Sequence, residues 1–110
     1  MEHPTPFINS SLLPNYRGQI VRITGKVTKL SASTLLIQTS DMGNVEVGLN
    51  RDTDLDGAKF VEVIGKVADS GETIREFTSL DLGDGVDMNL VERVVTVSQK
   101  FPGLFTQASD

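Results

Sequence analysis

The chain has 110 residues, 38% of them apolar, enough for one hydrophobic core and too few for two ordinary ones. Ten Lys and Arg stand against 15 Asp and Glu, a formal charge of −5, which argues against a self-sufficient nucleic-acid binder carrying a basic surplus for phosphates. There is no cysteine, so disulfides and thiolate metal sites are excluded.

The charge is unevenly placed: residues 1–40 hold four basic groups and one acidic, residues 41–110 six basic and fourteen acidic. The longest purely apolar run, Leu35-Leu36-Ile37, is far too short for a membrane span or a signal peptide. No membrane partner is expected, and the compartment is a reducing one, cytoplasm or nucleus.

Residues 1–8, MEHPTPFI, are broken by proline and read as an extended arm. Asn9-Ser10-Ser11-Leu12-Leu13 reads as a cap followed by one short helical turn that stops near Pro14. From Gln19 the period becomes two. Val21, Ile23, Gly25 and Val27 alternate with Arg22, Thr24, Lys26 and Thr28, the pattern of a strand with one buried face. Further strands are predicted over residues 34–39, 45–49, 60–68 and 73–79. Between them lie the turn residues 31–33, the hairpin signal Asp41-Met42-Gly43-Asn44, an acidic loop at 50–58, and Ser70-Gly71. Five short strands with tight turns indicate an all-β barrel or sandwich.

One phrase occurs twice: VRITGKV at 21–27 returns as VEVIGKV at 61–67. A five-stranded barrel closes only if long strands bend to serve both halves of the sheet. A glycine in mid-strand permits the bulge or kink for such a bend. The first and fourth strands carry it, as in the five-stranded Greek-key barrel called the OB-fold, where those two lie side by side.

The period changes again after Asp87, a good N-cap, and a helix is predicted over residues 88–101, ended by Pro102-Gly103. Met88, Leu90, Val91, Val94, Val95, Val97, Ser98 and Phe101 occupy one half of its circumference; Asn89, Glu92, Arg93, Thr96, Gln99 and Lys100 occupy the other. Docking on the chain's own barrel uses a stripe roughly 100° wide, and this face is nearly twice that. Leu90, Val94, Val97 and Phe101 also follow the i, i+4, i+7, i+11 seam of a helix bundle. Both covers stay open at this point, the chain's own barrel or another chain, with the width favouring the second. Four valines and a threonine cost roughly 0.5 kcal/mol each against alanine. Burial of each apolar side chain returns about 1.5–3 kcal/mol, so the helix is stable only when covered.

Catalytic parts are missing, and no enzyme is expected. Asp52, Asp54, Asp56 and Gly57 imitate the start of an EF-hand loop, but the position that needs a bidentate glutamate is Val63. His3, the single histidine, lies in the arm. No phosphate-cradling glycine motif occurs, and no cofactor is expected. Single-stranded nucleic acid binds OB-folds through aromatic platforms and a basic groove, chiefly on the second and third strands. Residues 31–50 contain no Lys, Arg or aromatic residue. Arg22, Lys26, Lys29 and Lys66 remain as candidates for weak phosphate contacts, or as solubilising charges.

The order of these pieces resembles the small, third subunit of replication protein A, the eukaryotic heterotrimer that coats single-stranded DNA. The similarity runs over residues 7–105. It is carried by Asn9-Ser10-Ser11-Leu12-Leu13 before Tyr16-Arg17-Gly18, then VRITGKVTKL, LLIQTSDMGNVEV, FVEVIGKV and the Asp87-capped helix leading to Lys100-Phe101-Pro102. The resemblance implies a nuclear assembly subunit acting in DNA replication, repair and recombination. Its C-terminal helix would join helices of the middle and large OB-fold subunits in a three-helix bundle through Leu90, Val91, Val94, Val95, Val97 and Phe101, with Met88 beside them. Those partners would hold most of the DNA. The expected division is an arm at 1–8, a five-stranded OB-fold barrel at 9–83, an assembly helix at 84–105 and a tail at 106–110. The alternatives are a free-standing nucleic-acid-binding OB-fold module and a subunit of another OB-fold complex, such as a telomere-capping heterodimer.

Overall fold

The computed structural model describes residues 5–101. The alternating segments form strands β1 (Phe7–Ile8), β2 (Ile20–Leu30), β3 (Thr34–Thr39), β4 (Asn44–Gly48), β5 (Phe60–Val67) and β6 (Thr73–Gly83), followed by helix α1 (Met88–Lys100). Antiparallel pairs β2–β3, β3–β4, β5–β6 and β2–β5, with the parallel pair β4–β6, close five strands into a ring. This is the Greek-key barrel expected from the strand order. Its inner face carries the apolar member of each alternation: Val21, Ile23, Leu35, Ile37, Val45, Val47, Val61, Val63 and Ile74 are all buried.

Three local expectations are corrected. Phe7 and Ile8, placed in the arm, pair parallel with Arg22 and Ile23. Strand β3 reaches only Gly25 to Leu30 of β2, so the unpaired edge beside residues 22 and 23 draws in an extended segment, and Ile8 becomes buried. The N-terminal turn, capped by Asn9, is a 3-10 helix over Ser10–Tyr16 that includes Pro14. Its bonds close locally, so one missing donor does not end it. Strand β6 runs on to Gly83, bent where Phe77 stands unpaired in a register shift opposite Ile64 and Gly65. His3, the expected helix stop at Pro102-Gly103 and the tail lie outside the described residues.

The repeated phrase has a geometric basis. Its two copies run antiparallel along β2 and β5, with Val21 opposite Gly65 and Val61 opposite Gly25. Each leading valine therefore meets the other copy's glycine. The glycines serve close approach more than bulging. The shift in β2 falls between Val27 and Lys29, beyond Gly25. A Cβ on Gly25 would lie 2.8 Å from Ile37 Cβ and 3.0 Å from the Gln38 carbonyl oxygen. At Gly65 approach and register shift coincide, and a Cβ would press into the Arg75 carbonyl of β6.

Two carboxylates, one buried and one partly exposed, tie loops to this barrel. Glu76, only 2% exposed, accepts from the Asn50 backbone N–H at 2.9 Å, Thr53 Oγ1 at 2.6 Å and Ser79 Oγ at 2.5 Å. It pins the acidic loop whose Leu55 joins the core. Asp54 in that loop accepts from the Asp56 N–H at 3.1 Å, closing a tight turn. Among the described residues no three carboxylates or imidazoles converge as a metal site.

Asp41, in the β3–β4 hairpin, receives the Ser10 hydroxyl at 2.9 Å, the Ser11 N–H at 3.0 Å and the Thr39 hydroxyl. Burial pushes its carboxyl up, but the bonds from Thr39, Ser10 and Ser11 outweigh this and hold it at about 2, below its ordinary 3.8. The 3-10 turn thereby seats against Gly43, where a Cβ would fall 2.8 Å from Ser10 Cβ. A depressed carboxylate stabilises fully above its unfolded value and loses that contribution as pH falls through the folded one. Asp41→Asn is therefore expected to cost about 1 kcal/mol at pH 7 after allowance for solvent screening. Urea melts of both proteins should converge as pH falls from 4 toward about 2.

Candidate functional site

Helix α1 begins where Asp87 accepts from the backbone N–H groups of Asn89 and Leu90 at 3.0 and 3.3 Å. It closes where the Phe101 N–H donates to the Val97 carbonyl at 2.9 Å, and Lys100 lies in its last turn, where a cation complements the helix dipole. Val95 and Ser98 are buried, at 3% and 5% exposed, and the Ser98 hydroxyl is satisfied by the Val95 carbonyl at 2.8 Å.

Polar bonds beside that stripe set the helix rotation. Glu92 accepts from Asn9 Nδ2 at 3.1 Å and from Ser40 Oγ at 2.6 Å. Gln99 Nε2 donates to Tyr16 Oη at 3.0 Å and to the Phe7 carbonyl at 3.4 Å. The N-terminal turn and the β3–β4 hairpin thus hold the helix at two points a full two turns apart. These two anchors were missed in the sequence because Glu92 and Gln99 sit on the polar half of the helix. Their seven-residue spacing, alongside Val95, was the available signal.

The wide apolar face therefore divides. One stripe, Val91, Val95 and Ser98, lies toward the barrel, with Met88 half-buried beside it. The other, Leu90, Val94, Val97 and Phe101, is less covered: Leu90 is 53% and Phe101 59% exposed, and Val94 and Val97 are half-buried. Val95, expected among the partner contacts, is instead consumed within the chain, because a helix needs one covered stripe to stay folded at all.

This combination of closed barrel and half-covered helix has known relatives. The family model described as Replication factor A protein 3 matches residues 1–105. The chain belongs to this family. Replication factor A protein 3 of Schizosaccharomyces pombe is 30% identical over 105 residues, covering 96% of this chain and 98% of that one. A chain in the structure of Ustilago maydis replication protein A bound to single-stranded DNA is 50% identical, with a TM-score of 0.92 over 97% of this chain and all of that one. A chain of the S. pombe Stn1–Ten1 complex superposes with a TM-score of 0.72 over 91% of this chain and 96% of that one. At 14% identity, that likeness concerns the fold alone.

The four basic residues singled out in the sequence of this replication factor A protein 3 family member do not form one patch. Arg22 is engaged inside the chain: its guanidinium lies 5.2 Å from the Phe7 ring centroid, and its Nε is 3.7 Å from Glu62 Oε2. Lys26 pairs across to Phe60 and Lys66 to Ile20, at opposite ends of the β2–β5 ladder, roughly 20 Å apart at strand spacing. Lys29 is exposed toward the same end of β2 as Lys26, the two lying opposite Leu36 and Gln38 of β3. On the outer face of β3–β4, Leu36 is paired with Glu46 and Gln38 with Asn44, a surface with neither cation nor ring.

Proposed function

We propose that the chain is the assembly subunit of a nuclear, heterotrimeric single-stranded DNA-binding complex of the replication protein A type, acting in DNA replication, repair and recombination. Helix α1 packs with helices from the middle and large OB-fold subunits in a three-helix bundle, through Leu90, Val94, Val97 and Phe101, with Met88 and Val91 at the margin. One observation carries this reading: a helix fixed to its own barrel on one side presents an apolar seam at heptad-like spacing on the other. In water such a seam is unfavourable, and helix-to-helix packing is the cover that its spacing fits. Holding several moderate DNA-binding barrels in one complex raises their effective concentration along a strand.

Co-expression with the middle and large subunits should give a particle of one copy each by light scattering. The isolated chain, titrated with fluorescent oligo-dT at low and moderate salt, is expected to bind only weakly, because Lys26, Lys29 and Lys66 do not form a continuous groove. Tight, strongly salt-dependent binding by the isolated chain would overturn the scaffold role and favour a free-standing nucleic-acid module.

A further inference from the structure

Between α1 and the β1–β2 edge lies an apolar groove of about 200 Å³, walled by Phe7, Arg22 and Thr24 on the sheet side and by Leu90 and Val94 on the helix side. Leu90 and Val94 also belong to the exposed seam, so groove and seam are one continuous surface. The groove has a charged wall that its own chain satisfies incompletely. Arg22 Nε is buried without a hydrogen-bond partner, and Glu62 stands at 3.7 Å, within ion-pair range but beyond hydrogen-bond length. The Arg22 side chain remains 34% exposed, and a guanidinium offers five donors, more than one distant carboxylate uses.

We propose that this groove receives one large apolar side chain from a partner subunit's amphipathic helix, with a carboxylate one turn away on that helix meeting Arg22. The proposal rests on the assembly reading of α1 and names where the partner is anchored and by what chemistry. A volume of this size suits a leucine, methionine or phenylalanine side chain, and a desolvated anchor beside a charge-assisted hydrogen bond is the usual composition of an interface hot spot. The carboxylate fixes the register of the partner helix, which a valine-rich seam specifies poorly by itself.

The test uses the heterotrimer reconstituted from this chain and its middle and large subunits, with dissociation followed on dilution. Thr24→Phe, which fills the groove and leaves Val97 and Phe101 of the outer seam unchanged, is expected to weaken assembly about 30-fold, and Arg22→Gln about 10-fold at low salt with a smaller gap at high salt. Arg22→Lys should recover part of the loss. If Thr24→Phe lowers the melting temperature of the isolated chain, Arg22→Gln decides. Wild-type affinity in Arg22→Gln and in a folded Thr24→Phe, while Val97→Glu fails to assemble, overturns the groove proposal and leaves the assembly reading intact. Wild-type affinity in Val97→Glu as well removes both.

Discussion

Replacing Leu90 and Val97 together with glutamate is expected to abolish assembly while leaving the isolated chain as stable as before. Leu90 is more than half exposed, so little burial within the chain is lost. It occupies the third helical position after Asp87, where a glutamate can complete a capping box, and glutamate is a better helix former than valine at 97. In a bundle the same changes remove two apolar contacts of about 1.5–3 kcal/mol each and bury two unpaired carboxylates. Together these weaken association by at least about 100-fold. Light scattering of the co-expressed subunits checks the first half, and a thermal melt of the isolated chain checks the second. A double variant that unfolds the barrel would show that the outward seam belongs to this chain's own core.

Gly65→Ala should be among the most damaging single-methyl additions in the barrel. The added Cβ would press into the Arg75 carbonyl oxygen and lie 2.7 Å from Ile74 Cγ2, and backbone cannot rotate aside as a side chain can. Separating β5 from β6 at this bend breaks ladder bonds where the ring closes. The cost is about 3 kcal/mol, at the upper end for overpacking, or a fall in melting temperature of roughly 10–20 °C for a domain of this size. Gly48→Ala is the control: its nearest neighbour, the Ile74 carbonyl oxygen, is 3.9 Å away, and the change should be neutral. Equal melting temperatures for the two variants by circular dichroism would show that close approach is not why the second copy of the phrase keeps its glycine.

The strands, the N-terminal cap at Asn9 and the helix behind Asp87 were legible in the sequence because their signals are local. Alternation reports one buried face, and a side chain reaching back to the N–H groups two or three residues on reports a helix start. The apolar spacing of Leu90, Val94, Val97 and Phe101 was legible for the same reason. Tertiary structure decided everything that depends on residues far along the chain. It decided that Phe7 and Ile8 join the sheet, because β3 leaves an edge of β2 open. It decided that Glu76 turns inward, because Asn50, Thr53 and Ser79 converge on it. It also decided which half of the apolar helix face stays uncovered, because Asn9, Ser40 and Tyr16 fix its rotation from two distant turns. Periodicity measures the width of an apolar face, but only the contacts around it determine how that width is shared between the molecule's own core and a partner.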